Sequence, residues 1–135
     1  MALRYLGIDY GSKRVGLAVG DAEAKYARPL VTLDGQATDL AEQLRRICDE
    51  QMVGTIVMGL PRGLDGQETA QTAIVRRRFV ELSHALPQLQ WYFQDEAVTS
   101  ELARERLKSR GESVADGAVD REAAAIILQD YLDQL

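Results

Sequence analysis

Apolar and polar positions fall into short alternating runs first and helical periods later. Leu3 to Tyr10 is rich in Leu, Ile and Tyr and stops at Gly11-Ser12, the pattern of a strand meeting a turn. Val15 to Val19 follows at once, so the two runs predict a hairpin. Tyr26 to Leu33 predicts a third strand, and Pro29 within it places that strand at a sheet edge. From Thr38 to Gln51, Leu40, Leu44, Ile47 and Cys48 recur at helical spacing, with Thr38 or Asp39 available as cap. Thr55-Ile56-Val57-Met58 is apolar without a period, the mark of a strand covered on both faces. It runs out at Gly59-Leu60-Pro61, and a loop from Arg62 to Gly66 leads into a helix from about Glu68 to Ala85. Leu89 to Gln94 predicts another strand and Ala97 to Arg110 another helix. A polar connection from Gly111 to Gly117 precedes a closing helix from Asp120 to Leu132.

The order βββαβαβαα opens antiparallel and continues as βαβ crossovers, which predicts an α/β fold with a mixed central sheet and helices on both faces. The 135 residues carry no repeat or linker, so 1–135 is expected to form a single domain. A hydrophobic share of 46% with 27% charged residues is that of a globular chain and not a disordered one. The single cysteine, Cys48, allows no intramolecular disulfide and fits a reducing compartment. The longest apolar stretches, such as Ala123 to Leu128, fall far short of the roughly 20 residues of a bilayer span. The opening residues carry no signal-peptide pattern, so the expectation is a cytoplasmic protein without a membrane partner. Sixteen basic against 21 acidic residues give a net charge of −5, the opposite of a dedicated nucleic-acid binder. Bound divalent cations would reverse that sign locally.

Three acids stand where structure alone would not put them. Asp9 lies in an apolar strand after Leu6, Gly7 and Ile8, where a charge is costly unless paired or metal-bound. Glu96, with Asp95 beside it, follows the strand Leu89 to Gln94. Asp120 opens the last predicted helix on the stripe of Ala123, Ala124, Ile127, Leu128 and Tyr131, the inward side. Plain structural alternatives stand beside this reading: Asp9 as a turn residue, Asp95, next to Glu96, as a cap, and Asp120 as a partner of the helix dipole. Converging, the three would offer hard oxygen donors suited to Mg²⁺ or Mn²⁺, and two such ions can support phosphodiester hydrolysis.

The run Gly7-Ile8-Asp9-Tyr10-Gly11-Ser12-Lys13-Arg14-Val15-Gly16-Leu17-Ala18-Val19 closely resembles the opening signature of the YqgF/RuvX family, the RuvC-like group of RNase H-fold nucleases. Met58-Gly59-Leu60-Pro61 with Asp65-Gly66, then Asp95-Glu96, then Val119-Asp120 agree with it in order and spacing. The resemblance spans essentially the whole chain. It implies an RNase H-like fold and a cytoplasmic nuclease that matures the 5′ end of pre-16S ribosomal RNA. By analogy with RuvC, the alternative it implies is a Holliday-junction resolvase. The family's acidic triad falls on Asp9, Glu96 and Asp120. Two departures stand out: Ala97-Val98 replaces the usual basic residue and leucine after Asp-Glu, and Gly117-Ala118-Val119 lacks the usual lysine before the last aspartate, with Arg121 after it.

Further expectations concern substrate grip. Lys13 and Arg14 in the first hairpin turn lie where a phosphate backbone could pass, and Arg62 follows a strand's carboxyl end, where α/β sheets place ligands. Arg104 and Lys108 share a face of the helix after Glu96, and clustered cations suffice for phosphate contacts. Arg76-Arg77-Arg78, spread around a helix, reads as a solvated face. His84 reads as a surface residue, Cys48 as core, and Trp91, Tyr92 and Phe93 as core packing. The partners expected are RNA, with branched or single-stranded DNA as the alternative, and a pre-ribosomal particle. The oligomeric state expected is a monomer or weak homodimer. An actin-like ATPase half also shows an Asp-x-Gly-Ser loop, but needs two domains around its nucleotide. A non-catalytic ribosome-assembly factor is the remaining alternative, favoured by the two missing basic residues.

Overall fold

In a computed structural model, which describes residues 3–97 and 100–135, Arg4–Tyr10 (β1), Arg14–Asp21 (β2) and Tyr26–Asp34 (β3) form an antiparallel meander. Val53–Pro61 (β4) and Gln90–Glu96 (β5) run parallel beside β1. The sheet has five strands in the order β3-β2-β1-β4-β5, which puts Pro29 on an edge strand as the sequence predicts. The helices are Leu40–Gln51 (α1), Ala70–Ala85 (α2), Ser100–Ser109 (α3) and Asp116–Leu132 (α4). Val98 and Thr99, inside the helix predicted from Ala97, lie outside the described residues. Among the described residues no helix is long and apolar enough to cross a membrane.

The two faces of the sheet are built from different residues. Leu6, Ile8, Val15, Leu17, Val19, Ile56, Met58 and Leu60 share one core with Leu40, Leu44 and Cys48 of α1 and Val75 and Leu82 of α2. Period-2 alternation leaves small residues on the other face. There a Cβ on Gly7 would meet Leu128 Cβ at 2.7 Å, one on Gly59 would meet Ile127 Cδ1 at 2.5 Å, and Ala18 is fully buried against α4. A glycine–alanine trough across β2, β1 and β4 therefore receives α4, whose own run Ala123-Ala124-Ala125 is equally small. Large-small alternation along Val15-Gly16-Leu17-Ala18-Val19 is what makes one sheet face thick with side chains and the other a bed for backbone.

Helix α4 begins at Asp116, one turn before the predicted start at Asp120. Its cap residue Ala115 makes no side-chain cap bond, but Thr32 Oγ1 of β3 donates to the Gly117 carbonyl at 2.6 Å, so a tertiary tie overrides weak local propensity. Helix α3 covers α4 from outside through Ala103 and Leu107 against Val119, Ala123 and Ile126. Thus α4 is buried nearly all round, including Glu122, which Arg110 bonds through both terminal nitrogens. Trp91 and Phe93 pack on Phe79 as core, whereas Tyr92 points to the opposite face, 45% exposed and stacked with Tyr131.

Candidate active site

The first cluster follows from one missing side chain. Asp9 lies directly across the β1–β2 ladder from Gly16, and on the α4 face, two residues on from Gly7. A Cβ at Gly16 would collide with the Asp120 carbonyl, so the bare glycine lets the second turn of α4 rest on β2 beside Asp9. Asp9 and Asp120 consequently line one cleft of about 290 Å³ with Gly11, Ser12, Lys13, Arg14 and Gln71. Burial, and secondarily the charge of Asp120, push the Asp9 carboxyl up from 3.8 to about 6. Among the described residues no donor is bonded to it.

Glu96 reaches the same face from β5. Pro61 pairs with Glu96 and Gly59 with Gln94, so the α4 side of these strands carries Gly59, Pro61, Gln94 and Glu96. A second, smaller cleft of about 120 Å³ is lined by Asp9, Tyr10, Gly59, Pro61, Gln71, Glu96 and Ile127. Asp9 is common to both clefts. Glu96 also faces Asp130 of α4; burial first, and Asp130 second, push its carboxyl up to about 8. Glu96 Oε2 is buried and has no hydrogen-bond partner among the described residues. Among the described residues no three carboxylates close around a single point, so the acids form two overlapping pairs, Asp9 with Asp120 and Asp9 with Glu96.

Helix α2 adds a residue that sequence reasoning missed. Thr72, fully buried, donates to the Pro61 carbonyl at 2.6 Å and accepts from the Thr69 amide at 2.9 Å. This ties the first turn of α2 to the end of β4 and sets the exposed amide of Gln71 over both clefts. Asp130 was equally unmarked; its only signal was its place on the broad helical stripe of Asp120 and Ile127.

The cations divide into those that meet the clefts and those that do not. Lys13 and Arg14 line the larger cleft; Arg14 Nε donates to Asp120 Oδ2 at 2.6 Å, with Asp116 at 3.9 Å. Arg62 sits beside the smaller cleft, held by Asp95 at 3.2 Å and Glu68 at 3.4 Å. Arg104 and Lys108 are exposed on α3, line neither cleft and have no carboxylate partner among the described residues. Arg121 turns to Thr32 Oγ1 at 3.3 Å, so it does not stand in for the missing lysine. His84 is exposed in the last turn of α2 and Cys48 is buried, its thiol pushed up to about 12 by burial.

A family model described as "RuvX: Holliday junction resolvase" matches residues 3–134. The chain is 40% identical over 138 residues to the "Putative pre-16S rRNA nuclease" of Anaeromyxobacter sp. (strain Fw109-5), covering 97% of both chains. It is 37% identical over 131 residues to a protein of the same description from Chloroflexus aggregans (strain MD-66 / DSM 9485), covering 95% of this chain and 92% of that one. Among solved structures it resembles "Thermus thermophilus RuvC structure" with a TM-score of 0.55 at 14% identity, over 98% of this chain and 95% of that one. It also resembles "T. thermophilus RuvC in complex with Holliday junction substrate", with a TM-score of 0.52 at 13% identity and the same coverage. At such identities the likeness is one of fold, the RNase H-like mixed sheet of RuvC.

Proposed function

The chain belongs to the RuvX family, and from that membership we propose that it is a divalent-metal-dependent nuclease acting in 5′-end processing of pre-16S ribosomal RNA, in the cytoplasm. The observation that carries this reading is Asp9, a half-buried carboxylate with no donor bonded to it among the described residues, shared between a cleft with Asp120 and a cleft with Glu96. The donor set suits a hard cation. Mg²⁺ usually takes one or two carboxylates and completes its shell with water and phosphate oxygens, and each cleft offers two carboxylates and open space. The raised Asp9 carboxyl and the buried Glu96 Oε2, without a partner among the described residues, support two such sites. Asp9 and Asp120 would hold one ion and Asp9 and Glu96 the other. Mg²⁺ or Mn²⁺ bound there would lower the pKa of a bound water and neutralise charge on the scissile phosphate.

The remaining residues act on the substrate. Lys13 and Arg14 neutralise the phosphate backbone at the larger cleft, and Arg62 borders the smaller. Gln71, over both, can donate its amide to a phosphate oxygen or orient a water between the acids. Arg104 and Lys108 contact the strand flanking the scissile bond. The description of the family as Holliday junction resolvases supports a second reading, a DNA endonuclease for four-way junctions.

The test is cleavage of labelled single-stranded RNA and of a four-way DNA junction, side by side, with Mn²⁺, Mg²⁺ or EDTA. Metal-dependent cutting of RNA by wild type and none by Asp9→Asn is the expected result. Preferential junction cleavage would favour the resolvase. Failure of a folded preparation to cut either substrate would favour a ribosome-assembly factor that binds without cutting.

A further inference from the structure

Asp120 already holds a cation of the protein's own. Its carboxylate is largely enclosed, with 17% of the side chain exposed, and Arg14 Nε lies 2.6 Å from Oδ2. Arg14 is anchored by the ladder, paired with Asp34 across β2–β3, and its carbonyl closes the β1–β2 turn by accepting from Gly11 N at 3.0 Å. Its side chain is 44% exposed, and its one further carboxylate neighbour among the described residues is the exposed Asp116 at 3.9 Å. The guanidinium thus lies in the cleft that Asp9 and Asp120 share, the place a divalent ion would neutralise. Two cations repel at such range, so one carboxylate cannot serve both at full strength.

We propose that Arg14 is an internal stand-in for the divalent cation at Asp120, displaced when the ion binds and thereby released to a phosphate of the substrate. This rests on the metal-dependent reading above and deepens it. It gives Arg14 two partners in sequence, Asp120 without metal and phosphate with it. A planar guanidinium suits both, since its fork of donors matches carboxylate and phosphate oxygens alike. Linkage then follows: an ion that frees Arg14 raises RNA affinity, and RNA that captures Arg14 raises ion affinity by the same factor. The neighbouring Lys13 has no carboxylate partner among the described residues, so toward a divalent ion its charge contributes only to the general field of the cleft.

Calorimetric titration of Mn²⁺ alone into wild type, Arg14→Gln and Lys13→Gln separates these roles. Arg14→Gln is expected to bind Mn²⁺ at least about fivefold more tightly than wild type, or about 1 kcal/mol. Lys13→Gln is expected to tighten binding by less than about twofold. Equal tightening in both variants, or weaker binding by Arg14→Gln, overturns the exchange while the metal reading stands. Absence of Mn²⁺ binding by wild type and Arg14→Gln alike overturns both. A measurement on wild type alone guards against a poorly folded variant. The Arg14 Nε–H resonance, protected from solvent exchange by Asp120, should lose that protection on saturation with Mg²⁺. Full protection at saturation overturns the proposal.

Discussion

Asp9 is held in the native state at a cost that can be measured. An acid whose carboxyl rises from 3.8 unfolded to about 6 folded keeps its proton in the native state at pH values where the unfolded chain has lost it. The native state therefore binds more protons between those values, and stability falls as pH rises through that window. Above it the ionised native form is less stable by about 3 kcal/mol at most. Glu96, raised to about 8, extends the same trend in the same direction. Asp9→Asn removes the first titration. In EDTA its melting temperature should match wild type near pH 4 and exceed it by several degrees at pH 7.5, followed by scanning calorimetry across pH. A variant that melts lower than wild type at pH 7.5 would show that the carboxylate serves the fold and not a ligand. Added Mn²⁺ should stabilise wild type and leave Asp9→Asn nearly unmoved, because only an ion-binding native state is stabilised by mass action.

At the scale of elements, the site depends on how closely α4 can approach the sheet. Gly16 is the contact point, and a methyl there must displace the backbone of Asp120. Gly16→Ala should cost about 3 kcal/mol by overpacking, lower the melting temperature by about 10 °C, and weaken Mn²⁺ binding by parting Asp120 from Asp9. Calorimetry with metal titration checks both effects; a variant that is destabilised yet binds metal normally would refute the role of the close approach. The same contact shows what could be read beforehand. The succession of elements along the chain and the edge position of Pro29 are legible, because alternation is a local signal, and the misplaced charges of Asp9 and Asp120, which line one cleft, stand out for the same reason. The start of α4 at Asp116 was not, since a tie from Thr32 to Gly117 leaves no periodic trace. Gln71 and Asp130 were hidden for a related reason: a polar residue at a helix end reads as solvated until packing aims it. The juxtaposition of Glu96 with Asp130 depends on where α4 lies over β5, which no run of residues encodes.

Across the whole molecule the charge is distributed unevenly. The net charge is −5, and many arginines are spent on carboxylates: Arg45 on Glu42 and Asp49, Arg62 and Arg76 on Glu68, Arg110 on Glu112 and Glu122. Cations left unpaired among the described residues therefore matter more than the total. Arg104 and Lys108, four apart on the exposed side of α3, are two of them, and α3 is the helix that follows Glu96 in the chain. If both neutralise phosphates of a single strand, each contributes about −0.7 to the slope of log affinity against log salt concentration. Replacing both with glutamine should then flatten that slope by about 1.4, while Arg77→Gln, on the solvated side of α2, should leave it alone. Anisotropy of a labelled 2′-O-methyl RNA, titrated with Mg²⁺ present over a range of KCl, reads the slope directly. An unchanged slope in the double variant would confine the RNA to the clefts and the hairpin turn. A flattened slope would extend the substrate path along α3, so that an acidic protein would grip RNA through a few unpaired cations.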